Sequence, residues 1–161
     1  MKKRNSEEKN RFLLTQEKFK ISTSLKKELN KYIKTLNYLL KEKSIPYTIM
    51  ILKTTQDCIK ELRNNIRSTD IVFKIPKTTN YYAIILQNTS INNAIEVGSR
   101  ISSLVKREFM INKKVFFNQI ALFGIEQKSI KASILAYEIT LYLDKKEIKN
   151  DENLWKIIKR F

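Results

Sequence analysis

Between Tyr47 and Leu143 the apolar side chains switch repeatedly between strand spacing and helix spacing, and that alternation restricts the chain to few folds. The run YTIMILK (47–53) is β-rich and has the length of a buried strand. Cys58, Ile59, Leu62 and Ile66 follow at helical spacing, so a helix is expected almost at once, from Thr54. DIVFKI (70–75) and NYYAIILQ (80–87) are two strands with four residues between them, which leaves room for little but a hairpin. Ile91, Ala94, Ile95, Gly98, Ile101, Leu104 and Val105 give the next helix, with Gly98 expected where it presses on the sheet. KKVFFNQIALFG (113–124) reads as a long strand, and Ile130, Ile134, Tyr137 and Leu141 as the buried stripe of a further helix.

Helices are expected on both flanks. Leu25, Leu29, Tyr32, Ile33, Leu36, Leu39 and Leu40 form a helical stripe that ends before Pro46. Phe12, Leu13, Gln16 and Phe19 mark a shorter helix, about Ser6 to Lys20, with ISTS (21–24) as the joint. Leu154, Ile157, Ile158 and Phe161 predict a last short helix, docked by Trp155. The order is therefore α-α-β-α-β-β-α-β-α-α, and its centre, β-α-β-β-α-β, is the split βαβ, ferredoxin-like α+β pattern. Right-handed crossovers put the helices from Thr54 and Ile91 on one face of an antiparallel sheet of four or five strands. The N-terminal stripe has the apolar width to cover the other face.

Composition narrows the function. With no His and one Cys in 161 residues, zinc and catalytic-triad chemistry have almost nothing to work with. The single thiol, Cys58, fits an inert place in a buried stripe and a reducing compartment. No apolar run approaches the ~20 residues of a membrane span, and the charged start MKKRNSEEKN lacks the apolar core of a signal peptide. The expected address is the cytoplasm. Net charge is +16, and residues 1–45 hold 13 basic against 5 acidic side chains. That excess could draw a polyanion to the N-terminal helices. It could equally reflect a Lys-, Ile- and Asn-rich composition, since Lys dominates and aromatic residues do not interleave with the basic ones.

The core order, with a helix ahead of it, resembles the GGDEF domain of diguanylate cyclases, a relative of the nucleotidyl-cyclase and polymerase palm. The similarity runs from about Ser24 to Lys146. IRSTDIVFKI is similar to that family's helix-to-strand joint, Arg-x-x-Asp and then the signature hairpin. NYYAIILQNTSINNAIEVGSRI is similar to its strand, polar turn and Ala-containing helix, and YEITLYLDKK to its last helix, with Leu141, Tyr142 and Lys145 kept. The resemblance implies a palm-type sheet, with residues 1–22 as an N-terminal helical extension and 23–161 as the domain.

It also implies a lost reaction. Active members need two glycines and metal-binding acids in the hairpin, where this chain has Thr78, Thr79, Asn80, Tyr81 and Tyr82. The metal-binding Asp that should end the first strand is replaced by Leu52 and Lys53. Phosphoryl transfer of this kind runs on divalent metal, so no catalytic residue, no metal ligand and no cofactor are expected. Tyr81 and Tyr82 are expected to pack across the hairpin, one of them projecting from the altered edge.

What the resemblance leaves is Arg67 and Asp70, placed like the family's inhibitory site for cyclic di-GMP, on one exposed edge beside Asp57 and Lys60. The bland alternative is an Asp that caps the turn and a solvated Arg at a helix end. The expected function is a non-catalytic, GGDEF-like regulatory domain that acts on a protein partner or homodimer, or binds cyclic di-GMP. A basic nucleic-acid-associated domain is the alternative.

Overall fold

Tyr47–Thr54 (β1) is buried along nearly all its length because a strand is hydrogen-bonded to it on each side. The computed structural model describes residues 2–54, 56–109, 117–143 and 155–161. Along these the order is α1 (Lys2–Asn30), α2 (Ile33–Lys43), β1, α3 (Ile59–Asn64), β2 (Ile71–Lys74), β3 (Tyr81–Gln87), α4 (Ile91–Phe109), β4 (Phe117–Ile125), α5 (Ala132–Leu141) and β5 (Trp155–Arg160). The five strands form one sheet in the order β2-β3-β1-β4-β5. The pairs β2–β3, β3–β1 and β1–β4 are each antiparallel, and Ile49 lies between Ile85 and Phe123.

Strand alternation then sorts the side chains between two cores. Met50, Leu52, Tyr82, Ile84, Leu86 and Leu122 face α3 and α4, where Cys58, Leu62, Ala94 and Ile101 meet them. Ile49, Ile51, Ala83, Ile85, Phe123 and Ile125 face the other way, against Leu25, Leu29, Ile33, Leu36 and Leu40 of α1 and α2 and Leu135, Ala136 and Ile139 of α5. The expected covering of the second face by the N-terminal stripe is what the fold has, with α5 sharing it. Gly98 is buried in α4. A side chain at Gly124 of β4 would overlap Ile91, so it is there that α4 starts tight against the sheet. No helix among the described residues is long and apolar enough to cross a membrane.

The structure corrects the sequence reading in four places. First, the ISTS joint is helical, and α1 is continuous to Asn30. ISTS contains neither Gly nor Pro, and the Thr23 hydroxyl bonds back to the Phe19 carbonyl at 2.8 Å, so nothing there ends a helix. The break falls at Lys31 and Tyr32, where the bonds shorten to Lys31 N–Glu28 O and Tyr32 N–Leu29 O.

Second, the predicted last helix is β5, parallel to β4, so the sheet is mixed rather than antiparallel. A short run such as WKII reads equally as strand or helix, and only the vacant edge of β4 decides. Its end is pinned by Phe161 N donating to Gly124 O at 2.8 Å and by Glu126 and Gln127 N–H groups on Phe161 O. Third, α3 has six residues and starts at Ile59, not Thr54, because β1 runs through Thr54.

Fourth, α5 turns the other side inward. Ala132, Leu135, Ala136 and Ile139 are buried, while Ile134, Tyr137 and Leu141 are 49%, 58% and 46% exposed. ASILAYEITL is apolar nearly all round, so its period names no face. The start of the fourth strand at 113–116, Lys145 and the side chains of Phe12, Leu13 and Trp155 lie outside the described residues.

Candidate functional site

The β2–β3 hairpin has two polar ends, and the residues singled out by sequence divide between them. At its open base, the turn from α3 into β2 brings Asp70 N onto Arg67 O at 3.0 Å. The side chains then pair in a fork: Arg67 Nε donates to Asp70 Oδ2 and Nη2 to Oδ1, each at 2.9 Å. Nη2 also donates to Gln87 O at 2.7 Å and Thr89 Oγ1 at 2.8 Å. Asp70 accepts further bonds from the N–H groups of Arg67 and Gln87, both at 3.3 Å. Gln87 returns a bond from Nε2 to Thr69 O at 2.7 Å.

The Asp70 side chain is only 2% exposed, whereas that of Arg67 is 49% exposed. The bond to Asp70 raises the Arg67 pKa and holds the guanidinium in its charged form. This cluster ties the α3–β2 turn to the end of β3 and the start of the β3–α4 turn. Arg67 is therefore no solvated helix-end residue. A cavity of about 250 Å³ opens beside it, lined by Leu36, Leu39, Arg67, Thr69, Gln87 and Asn88 among others.

The expected neighbourhood of Asp57 is a different place. Asp57 lies at the opposite end of the hairpin, where its Oδ1 accepts from Tyr82 Oη at 2.9 Å and Ile59 N at 3.2 Å, and its Oδ2 from Lys74 Nζ at 3.2 Å. The Ile59 N–H, the Tyr82 hydroxyl and Lys74 together hold its carboxyl below the usual range. Tyr82 is buried against α3 and accepts Cys58 N–H at 3.1 Å. Burial pushes the Cys58 thiol up to about 11, so little thiolate forms at neutral pH.

The hairpin tip closes without glycine. Lys77 (φ 62°) and Asn80 (φ 57°) both take left-handed backbone, which costs Lys about 1–2 kcal/mol and Asn less. Thr78 N and Oγ1 both donate to Ile75 O, at 3.3 and 2.6 Å, and Thr54 N donates to Asn80 O at 3.0 Å. The tip is thereby fixed against the end of β1. Register there slips between Leu52 and Lys53 in the pairing with β4, a bulge of the kind that re-aims side chains at sheet rims. Lys53 Nζ lies 5.0 Å from the centre of the Tyr81 ring, and Tyr81 Oη donates to Leu143 O at 2.5 Å, beyond the end of α5.

Tyr81 and Tyr82 thus face opposite sides of the sheet, and Tyr81 is the one that borders open space. A cavity of about 460 Å³ is lined there by Lys18, Lys53, Lys77, Thr78, Asn80 and Tyr81 among others. Among the described residues that line it none is acidic. Among the described residues no group of three His, Cys, Asp or Glu is placed to hold a metal ion. Sequence reading singled out Arg67, Asp70 and residues 78–82, of which Tyr82 is buried on the other face, in the core under α3 and α4. It did not single out Gln87 and Thr89, whose polar side chains after an apolar strand were the available signal, or Lys18 and Lys77, which line one cavity only because α1 crosses the sheet.

No protein-family model matches the chain, and no curated protein matches it. Among solved structures it is similar to the diguanylate cyclase SiaD of Pseudomonas aeruginosa, determined in complex with its activator SiaC. There the TM-score is 0.53 at 7% identity, covering 99% of this chain and 71% of that one. It is also similar to the GGDEF domain of TpbB (YfiN) of Pseudomonas aeruginosa, with a TM-score of 0.51 at 12% identity, covering 81% of this chain and 85% of that one. At these scores the likeness is one of fold, and the chain has the α+β palm fold of GGDEF domains.

Proposed function

We propose that this chain is a regulatory GGDEF-like domain that makes no cyclic dinucleotide and works by contact with a protein partner. One observation carries the reading. The end of β1 and the hairpin tip, where metal-dependent nucleotidyl transfer in the resembled family needs carboxylates, present Lys53, Lys77, Thr78, Thr79 and Asn80. Divalent metal between phosphate oxygens requires hard anionic ligands, and lysine repels the ion. Support for a protein partner comes from α5, whose exposed Ile134, Tyr137 and Leu141 recur at helical spacing, and from Phe19, exposed on α1. SiaD, a neighbour in fold, was itself solved with a protein activator. In this reading residues 1–22 are a helical extension of a domain spanning 23–161, and the extension is one place for a second copy to dock.

Incubation with GTP and Mg²⁺ or Mn²⁺, with products separated by ion-exchange chromatography, tests the loss of catalysis. The expected result is intact GTP. Turnover that chelation abolishes would overturn the reading.

A second reading gives Arg67 and Asp70 a cyclic di-GMP ligand. What favours it is the half-exposed guanidinium beside a cavity. The engaged fork and the modest cavity weigh against it. Calorimetry with cyclic di-GMP decides: a micromolar Kd, about −8 kcal/mol, that weakens in Arg67→Lys supports it, and no heat removes it.

A further inference from the structure

We propose that the solvent face of α1 and α2 binds single-stranded nucleic acid, with its phosphates on lysines and its bases on exposed aromatic rings. Leu25 and Leu29 of α1 and Ile33, Leu36 and Leu40 of α2 are buried in one core. Both helices therefore lie on the same face of the sheet and turn their opposite sides to water. On α1 that side carries Lys20, Thr23 and Lys27, and on α2 Lys34, Tyr38 and Lys41, all exposed and spaced to share a helical face. The four lysines make no ion pair among the described residues, whereas Lys31, at the corner between the helices, is held by Glu28 at 2.9 Å. Tyr38 is 60% exposed, and Phe19, one turn before Thr23, 71%. Along the chain basic and aromatic residues do not interleave, but on the helix surface they do, with Tyr38 one turn from Lys34 and one from Lys41. Glu42, a turn beyond Tyr38, is an exposed acid on the same face.

The surface asks for a ligand that brings spaced negative charge and flat apolar faces together. A single strand has both: its phosphates pair with lysine, and an exposed ring stacks on a base that is already out of a duplex. A bilayer would need a continuous apolar face, and the apolar stripes of both helices are buried against the sheet. An acidic protein would meet the lysines but leave the rings, each set singly among polar side chains, without a pocket to fill. Phe19 also belongs to the partner surface proposed above, so the test rests on Tyr38.

Fluorescence anisotropy of the full chain with a labelled oligothymidine of about 16 nucleotides tests the proposal. Affinity should fall steeply with salt, with a slope of log K on log salt near −3, about 0.7 for each of roughly four phosphates. Lys34→Met or Lys41→Met should make that slope shallower by about 0.7. Tyr38→Ala should weaken binding about tenfold, and Tyr38→Phe should keep it, since stacking needs the ring and not the hydroxyl. Tyr38 lies outside the core, so these variants keep the fold, which thermal melts check. Glu42→Gln should tighten binding. Arg63→Ala, an exposed cation of α3 on the other face of the sheet, should change nothing. If it weakens binding as much as Lys34→Met does, net charge rather than this face attracts the strand, and the proposal fails. Absence of binding at low salt, unchanged binding in Tyr38→Ala, or equal affinity for the duplex would also overturn it. Displacement of the strand by polyglutamate or by anionic vesicles at equal charge would give the face to an acidic protein or to a membrane instead.

Discussion

The two ends of one hairpin are built on opposite electrostatic plans. At the base, a carboxylate 2% exposed is surrounded by a guanidinium and backbone N–H groups, and every partner is fixed. At the tip, lysines from several elements border open space, with no acid among the described residues of the wall. The base has a spacing, Arg67 and Asp70, that resembles a ligand site and joins three segments of chain. The tip has none of the resembled acids among its described residues and borders a basic cavity. A motif legible in sequence can therefore serve structure through partners that the sequence spacing does not name.

The largest expected effect lies at the base. Asp70→Ala removes the acceptor for Arg67 and for Gln87 N–H, and should cost about 2–4 kcal/mol, by the rule that breaking a buried pair strands its partners. Urea denaturation measures it. Arg67→Ala should cost nearly as much, because it leaves Asp70 buried with few donors, and the double variant should cost less than the sum of the two. Losses under about 0.5 kcal/mol, the size expected of an exposed pair, would break the contrast and return Arg67 to the role of a free surface residue.

How far the sequence discloses this contrast depends on where the partners lie. β1 to β4 are legible because their apolar residues are β-branched or aromatic and the segments end at turn residues. α1 misled because Ile21–Ser24 is weakly helical but has no breaker, and its continuation depends on Leu25 and Leu29 packing on the second core. α5 and β5 were illegible locally: one is apolar all round, and the other is a short run whose state is set by the free edge of β4. At the site, Arg67 and Asp70 are visible as a spacing, but the partners that decide their role, Gln87 and Thr89, come from the far strand. The basic cavity is hidden for the same reason, since Lys18, Lys53 and Lys77 are far apart in the chain.

A second experiment probes rigidity at the tip. Tyr81→Phe removes the bond from Oη to Leu143 O while keeping the ring under Lys53. The expected loss is about 1 kcal/mol, that of one partly buried hydrogen bond. A much larger loss would mean that the tip is as firmly integrated as the base.

Lys77→Gly carries the contrast in the opposite direction. The left-handed backbone of Lys77 costs about 1–2 kcal/mol, and glycine returns part of that gain as added freedom in the unfolded chain. The net expectation is a stabilisation of about 0.5–1 kcal/mol, or a Tm rise of roughly 1–4 °C for a domain of this size. Removing one of the clustered positive charges acts in the same direction. A fall in Tm would mean that the Lys77 side chain contributes contacts that offset its strained backbone.

The smallest effect belongs to Asp57, a carboxylate at the tip end of the hairpin but on the opposite face of the sheet. Its folded-state pKa is lowered, first by the Ile59 N–H, then by the Tyr82 hydroxyl and Lys74. A lowered pKa means that this group adds stability above its unfolded value, near 4, and loses it as pH falls through the lower, folded value. The side chain is 56% exposed, so solvent screening keeps the contribution small. Asp57→Asn keeps an oxygen for Ile59 and Tyr82 and loses only the charge that faces Lys74. The variant should be about 0.5 kcal/mol less stable at neutral pH, the size of a surface ion pair. Below pH 4 the two proteins should converge, which thermal melts across that range will show. A gap that instead stays constant through that range would mean that Asp57→Asn removes something other than the charge of Asp57.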